Sequence, residues 1–143
     1  MKRISIAILL FFLSITAFAQ DLSLYKKAFF VANGDTLKYR ILYPKNFDSQ
    51  KKYPVILFLH GRGESGNDNE KQLANGGKLF LNENFRNNYE VITIFPQCAS
   101  YSYWANVEID TVNTKRFFTF IKGGQPTKAM SLVLQFTDRL FKN

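Results

Sequence analysis

Tyr53-Pro54-Val55-Ile56-Leu57-Phe58-Leu59-His60-Gly61-Arg62-Gly63-Glu64-Ser65-Gly66 passes directly from five consecutive apolar residues into a glycine-rich polar loop. A continuous apolar run of that length, rich in β-branched and aromatic side chains, reads as a strand covered on both faces. Glu90-Val91-Ile92-Thr93-Ile94-Phe95 is a second run of the same kind, closed by Pro96, which has no N–H to give to a ladder. The two runs start about thirty residues apart with helical material between them, the dimension of a βαβ unit, whose right-handed crossover makes the strands parallel neighbours.

Between these runs, residues 69–88 are polar and weakly helical, and Gly76-Gly77 interrupts them. Leu73, Leu79, Phe80, Leu81 and Phe85 are placed to bury one side of two short helices. Upstream, Ala28-Phe29-Phe30-Val31 is followed by Asn33-Gly34. After them Leu37, Tyr39, Ile41 and Tyr43 alternate with more polar neighbours. Two strands around Asn-Gly read as a β-hairpin. Downstream, a long loop carries Cys98, Tyr101, Tyr103 and Trp104. Ala129, Leu132, Val133, Phe136 and Leu140 then form one helical stripe, with Thr127 as its expected N-cap. The order is β-hairpin, strand, helix, strand, helix. A helix of this kind after a parallel strand is a crossover, and a crossover delivers a further strand. None follows in the sequence, so the α/β layer is expected to lack its second half and to leave a sheet edge uncovered.

His60-Gly61-Arg62-Gly63 stands where chemistry is concentrated in such layers. Glycine lets a backbone approach a ligand closely, and a strand end turning toward a helix presents free N–H groups to a developing negative charge. The stretch from Tyr53 to Asp68, the strand ending Ile94-Phe95-Pro96-Gln97-Cys98, and Tyr103-Trp104-Ala105 together resemble the N-terminal half of secreted bacterial α/β-hydrolases. These are the predicted peptidase, carboxylesterase and phospholipase-like proteins related to feruloyl esterases and polyhydroxybutyrate depolymerases. The resemblance covers residues 28–140. It implies a truncated α/β-hydrolase fold and a small-molecule or polymer ester substrate cleaved through an acyl-serine intermediate, with no cofactor. It also implies an oxyanion-hole loop of Gly61, Arg62 and Gly63, with the Arg62 backbone N–H as donor. His60 then organises that loop, and Tyr103 and Trp104 lie at the substrate rim.

The family's nucleophile elbow, G-x-S-x-G, is not in this sequence. Gly63-Glu64-Ser65-Gly66 has its glycines in the wrong register, and no His follows His60. No catalytic residue is therefore assigned, and the chain alone is expected to be inactive. Two other readings stand beside this one. Tyr101, Tyr103 and Trp104 could form an aromatic platform of a non-catalytic exported module that binds polysaccharide or polyester. Cys98 could approach His60 across two strand ends and form a thiolate–imidazolium pair, although a single Cys beside a buried strand is more often a small core hydrophobe.

Composition narrows the field further. In 143 residues, 46% are hydrophobic, and 15 Phe with 7 Tyr supply ample apolar surface for a folded core. One Cys and one His exclude an intramolecular disulfide and any multi-Cys or multi-His metal centre. Glu64, Asp68 and Glu70 lack EF-hand spacing and read as a solvated turn. The formal charge is +8, but Lys26-Lys27, Lys51-Lys52 and Lys115-Arg116 are scattered pairs with no accompanying motif, so no nucleic-acid partner is expected. Met1-Lys2-Arg3, an apolar run over residues 4–18 and Ala17-Phe18-Ala19 read as a signal peptide, residues 1–19, cleaved before Gln20. That run spans about 22 Å as a helix, short of a bilayer core of about 30 Å. A secreted or periplasmic domain over residues 20–143, without a stable membrane span, is the expectation.

Overall fold

The computed structural model describes residues 21–142; the signal peptide expected over residues 1–19 lies outside them. Strands β1 (Lys26–Ala32) and β2 (Asp35–Leu42) form the expected hairpin, paired from Lys26↔Ile41 to Ala32↔Asp35. Asn33 and Gly34 close it with φ of 52° and 78°. Two positive φ values in a two-residue loop match the right-handed twist of the flanking strands, and Asn-Gly tolerates them best. Strands β3 (Val55–Leu57) and β4 (Ile92–Pro96) run parallel to each other, and β4 lies antiparallel to β2. The sheet order is β1-β2-β4-β3.

The crossover from β3 to β4 is built from short pieces. They are 3₁₀ turns at Arg62–Glu64 and Lys71–Leu73, then α1 (Gly77–Leu81) and α2 (Glu83–Asn88). Gly76-Gly77 starts α1 instead of interrupting a helix. Gly76 has φ 104°, and a Cβ there would stand 2.6 Å from the Phe58 ring, so only glycine fits. Asn82 caps α2 by accepting the Phe85 N–H at 3.1 Å. Leu73 and Phe80 are buried as expected, but Leu79 is exposed because the five-residue α1 turns it outward.

Successive residues of β4 point to opposite faces, and the core divides accordingly. On one face Ile94 packs with Leu37 and Ile41 against Leu132, Val133 and Phe136 of α3 (Lys128–Lys142). On the other, Phe95 packs with Tyr25, Leu42, Leu73 and Phe80. The α3 stripe is as expected, and Thr127 is its cap, with Oγ1 accepting the Met130 N–H at 3.1 Å. Burying each large side chain of that stripe contributes about 1.5–3 kcal/mol, which fastens α3 across β1 and β2.

Val55 and Leu57 pack against the Ile94 cluster and Ile56 against the Phe95 cluster, so β3 has packing on both faces as expected. Its three residues are only half-buried because it is an outer strand with a neighbour on one side only. One expectation needs correction. The segment after Trp104 is not wholly loop. It holds a separate antiparallel hairpin of β5 (Val107–Val112) and β6 (Lys115–Phe120), turning at Asn113 and Thr114, both at positive φ. Among the described residues, no helix is long and apolar enough to cross a membrane.

Candidate active site

Parallel strands β3 and β4 end side by side, so the loops that leave them meet at one edge of the sheet. Phe58 N–H still donates to Ile94 O at 2.8 Å, and then the chain turns out. Gly61 is extended and leads into the 3₁₀ turn Arg62–Glu64, where Glu64 N–H reaches Gly61 O at 3.3 Å and Ser65 N–H reaches Arg62 O at 3.2 Å. In such a turn the first N–H groups, those of Arg62 and Gly63, have no acceptor within the helix. A Cβ at Gly63 would meet nothing within 4 Å, so the space over this backbone is open.

Four side chains tie this loop to the one after β4. His60, 4% exposed, accepts the Cys98 N–H on Nε2 at 2.9 Å, and its Nδ1–H donates to Gly61 O at 2.6 Å. Both ring nitrogens are thereby committed, leaving no lone pair to take a proton from a nucleophile. Trp104 donates its indole N–H to the His60 carbonyl at 2.9 Å, with the two rings edge-on at 5.3 Å. Gln97 accepts the Asn69 N–H at 2.7 Å and donates to Asp68 Oδ1 at 2.9 Å and Glu64 O at 3.3 Å. Arg62 donates to Ser102 O at 2.8 Å and Ser100 O at 2.5 Å while lying 4.2 Å over the Tyr103 ring. Its guanidinium is a brace, a role beyond the backbone donor that the resemblance implies for Arg62.

The sequence reading overlooked Gln97 as a site residue. Its signal was a long amide side chain immediately after a buried strand and a proline, a place where a polar group must find partners. The carboxylates of this region are spent on structure. Glu64 accepts from Asn75, Glu70 pairs with Lys27 at 2.6 Å, and Asp68 accepts the N–H groups of Glu70 and Lys71 at 2.8 and 3.0 Å. The Lys71 N–H above all, with help from Gln97, the Glu70 N–H and the Lys71 charge, holds the Asp68 carboxyl well below the usual carboxylate range, against the cost of its desolvation. A depressed folded-state pKa contributes stability above the ordinary Asp value of about 4 and loses it as pH falls further. Asp68→Asn should therefore flatten the acid limb of a plot of urea midpoint against pH below about pH 4; parallel acid limbs for the two proteins would contradict this.

The Cys98–His60 pair does not form a nucleophile. The ring holds the Cys98 backbone N–H, while the thiol points to Ala99 O at 3.6 Å. Burial pushes the thiol up from its ordinary value, and the Arg62 charge and a hydrogen bond with Ser65 only partly oppose this. The aromatic platform fares no better. Tyr101 is exposed, but Trp104 is half-buried with its N–H engaged, and the Tyr103 face carries Arg62. Tyr101 and Tyr103 instead line a shallow groove beside the root of the β5–β6 hairpin.

No family model matches the chain. It is similar to the probable dipeptidyl-peptidase 5 of Aspergillus niger, 34% identical over 61 residues, which are 43% of this chain and 8% of that protein. It is also similar to the dipeptidyl-peptidase 5 of Aspergillus fumigatus, 46% identical over 39 residues, 27% of this chain and 5% of that one. Among solved structures, a thermostable esterase superposes with a TM-score of 0.65 at 25% identity, covering 85% of this chain and 31% of the esterase. The chain thus spans under a tenth of these curated relatives and under a third of the esterase. The fold is that of an α/β hydrolase, and the likenesses support a place for the chain among esterase- and peptidase-like hydrolases.

Proposed function

We propose that this chain forms the oxyanion-binding side of an exported serine hydrolase acting on carboxylic esters, with the Arg62 and Gly63 N–H groups receiving the oxyanion. One observation carries this reading: a turn with free leading N–H groups and open space above it, locked by His60, Gln97 and Trp104 at the shared end of two parallel strands. Pre-positioned donors need no reorganisation when charge develops, and each is worth about 10²–10³ in rate where a nucleophile exists. The attacking serine lies outside this chain's residues, so the chain alone stabilises a charge that nothing in it generates. Peptide bonds pass through the same tetrahedral oxyanion, and the peptidase-named relatives keep that substrate within the proposal.

The test is reconstitution with a following segment that carries G-x-S-x-G, whether encoded downstream of Asn143 or supplied separately. The reconstituted protein should hydrolyse p-nitrophenyl butyrate. Gly63→Pro, which deletes one N–H, should lower kcat by about 10²-fold or more with KM little changed. Turnover that Gly63→Pro leaves intact would contradict the oxyanion assignment.

A further inference from the structure

Neither core cluster includes a residue of the β5–β6 hairpin. Its register sorts its residues into two unlike faces. Val107↔Phe120 and Ile109↔Phe118 place four apolar side chains on one face, and Thr111↔Arg116 completes that face toward the turn. Glu108↔Thr119, Asp110↔Phe117 and Val112↔Lys115 make the other face mostly polar. Phe118 and Phe120 are 46% and 69% exposed, whereas Val107 and Ile109 across from them are half-buried. Exposed aromatic surface on a two-stranded hairpin is unfavourable unless something covers it, since such a hairpin is marginal alone.

The hairpin's position indicates what covers it. Its root is pinned to the candidate site: Ile121 N–H donates to Asn106 O at 3.0 Å, and Asn106 Nδ2 reaches Gln125 O at 2.9 Å. Thr127 Oγ1 donates to Tyr103 O at 2.5 Å, and Tyr103 carries the Arg62 guanidinium. A groove of about 290 Å³ lies there, with Tyr101, Tyr103, Val107 and Ile121 as its apolar walls. Three of its polar side chains are already engaged, Asn106 and Thr127 as above and Ser102 on the Ala129 N–H. Among the described residues, no acidic or basic one lines the groove, although Arg62 and Lys128 lie over the Tyr103 and Tyr101 rings. The groove therefore offers mainly apolar contact, and it adjoins the loop proposed to carry the oxyanion donors.

Two other occupants fit less well. One face of a hairpin this size covers about 200 Å², against about 800 Å² per partner in a stable interface. Its turn end carries Lys115 and Arg116 and its apolar half is at the root, the reverse of an element that inserts its tip into lipid. We infer that the groove and the Val107–Ile109–Phe118–Phe120 face form the wall that receives the apolar tail of the ester substrate. This rests on the ester-hydrolase reading and adds to it a preference for tails longer than acetyl.

Binding by the 143-residue chain tests this without turnover, through quenching of its single Trp by p-nitrophenyl acetate, butyrate and hexanoate. Affinity should rise about three- to tenfold for each two added methylenes. In Phe118→Ser/Phe120→Ser that rise should vanish, while Phe117→Ser, on the opposite face of the same strand, should keep it. No dependence on tail length, dependence that survives the double substitution, or equal loss in Phe117→Ser would overturn the wall. Concentration-dependent dimerisation abolished by the double substitution would overturn it in favour of a second copy. If length-dependent binding holds but the reconstituted protein ignores Gly63→Pro, the oxyanion reading fails and the wall stands as a binding site.

Discussion

Replacing Phe95 with alanine should remove about 3–5 kcal/mol of folding stability. Phe95 is 0% exposed on β4, the strand that joins β2 to β3. Its ring stacks on Phe58 at 4.7 Å and meets Tyr25 and Phe80 edge-on at 5.4 and 5.6 Å. Neither face of that ring can collapse easily once it is gone, because Tyr25 is itself fixed by a hydrogen bond from its hydroxyl to Gly77 O at 2.9 Å. Domains of this size have about 5–15 kcal/mol in total, so a large part of the margin is lost. The urea midpoint should fall with an unchanged slope. A loss below about 1 kcal/mol would mean that this aromatic cluster is not the close-packed core described. The effect should reach the site, because Pro96, Gln97 and Cys98 follow directly and hold the His60 loop.

Replacing His60 with alanine should cost about 2–4 kcal/mol, which separates a structural histidine from a catalytic one. The Cys98 N–H, in a residue 2% exposed, would lose its acceptor, and Trp104 would lose the ring it packs against. A buried donor left unpaired bears most of its desolvation penalty. His60→Gln, which offers an amide oxygen, should recover part of the loss. Iodoacetamide gives a second reading. The wild-type thiol should react slowly at neutral pH, because burial pushes it up, and faster in His60→Ala as the loop opens. Rapid wild-type alkylation with an acidic apparent pKa, abolished by His60→Ala, would instead establish the thiolate–imidazolium pair.

Those two residues also show how far the sequence could be read. The apolar runs ending at Leu59 and Phe95 announced parallel strands, because periodicity and length report burial directly. Asn33-Gly34 and Thr127 announced a turn and a cap through local chemistry. The half-exposure of β3 was not legible, since an apolar run does not reveal whether a neighbour lies on each side. The β5–β6 hairpin did leave a trace in the alternation Val107-Glu108-Ile109-Asp110-Thr111-Val112. Its partner strand Lys115–Phe120 carries three phenylalanines without alternation, which hid the pair. At the candidate site, the placing of Gly61, Arg62 and Gly63 in the loop that follows a strand was legible. The bracing by Gln97 and by the Arg62 guanidinium was not, because it joins residues 28 to 40 positions apart that only the finished sheet brings together.

The most direct test of the whole reading uses the purified 143-residue chain and a fluorophosphonate probe, followed by intact mass measurement and an assay with p-nitrophenyl butyrate. The expected result is an unmodified mass and no turnover above buffer, since this chain is proposed to carry the oxyanion donors and another segment the attacking serine. A stoichiometric phosphonyl adduct on a serine of this chain, or ester hydrolysis at an enzymatic rate with no second component, would contradict it.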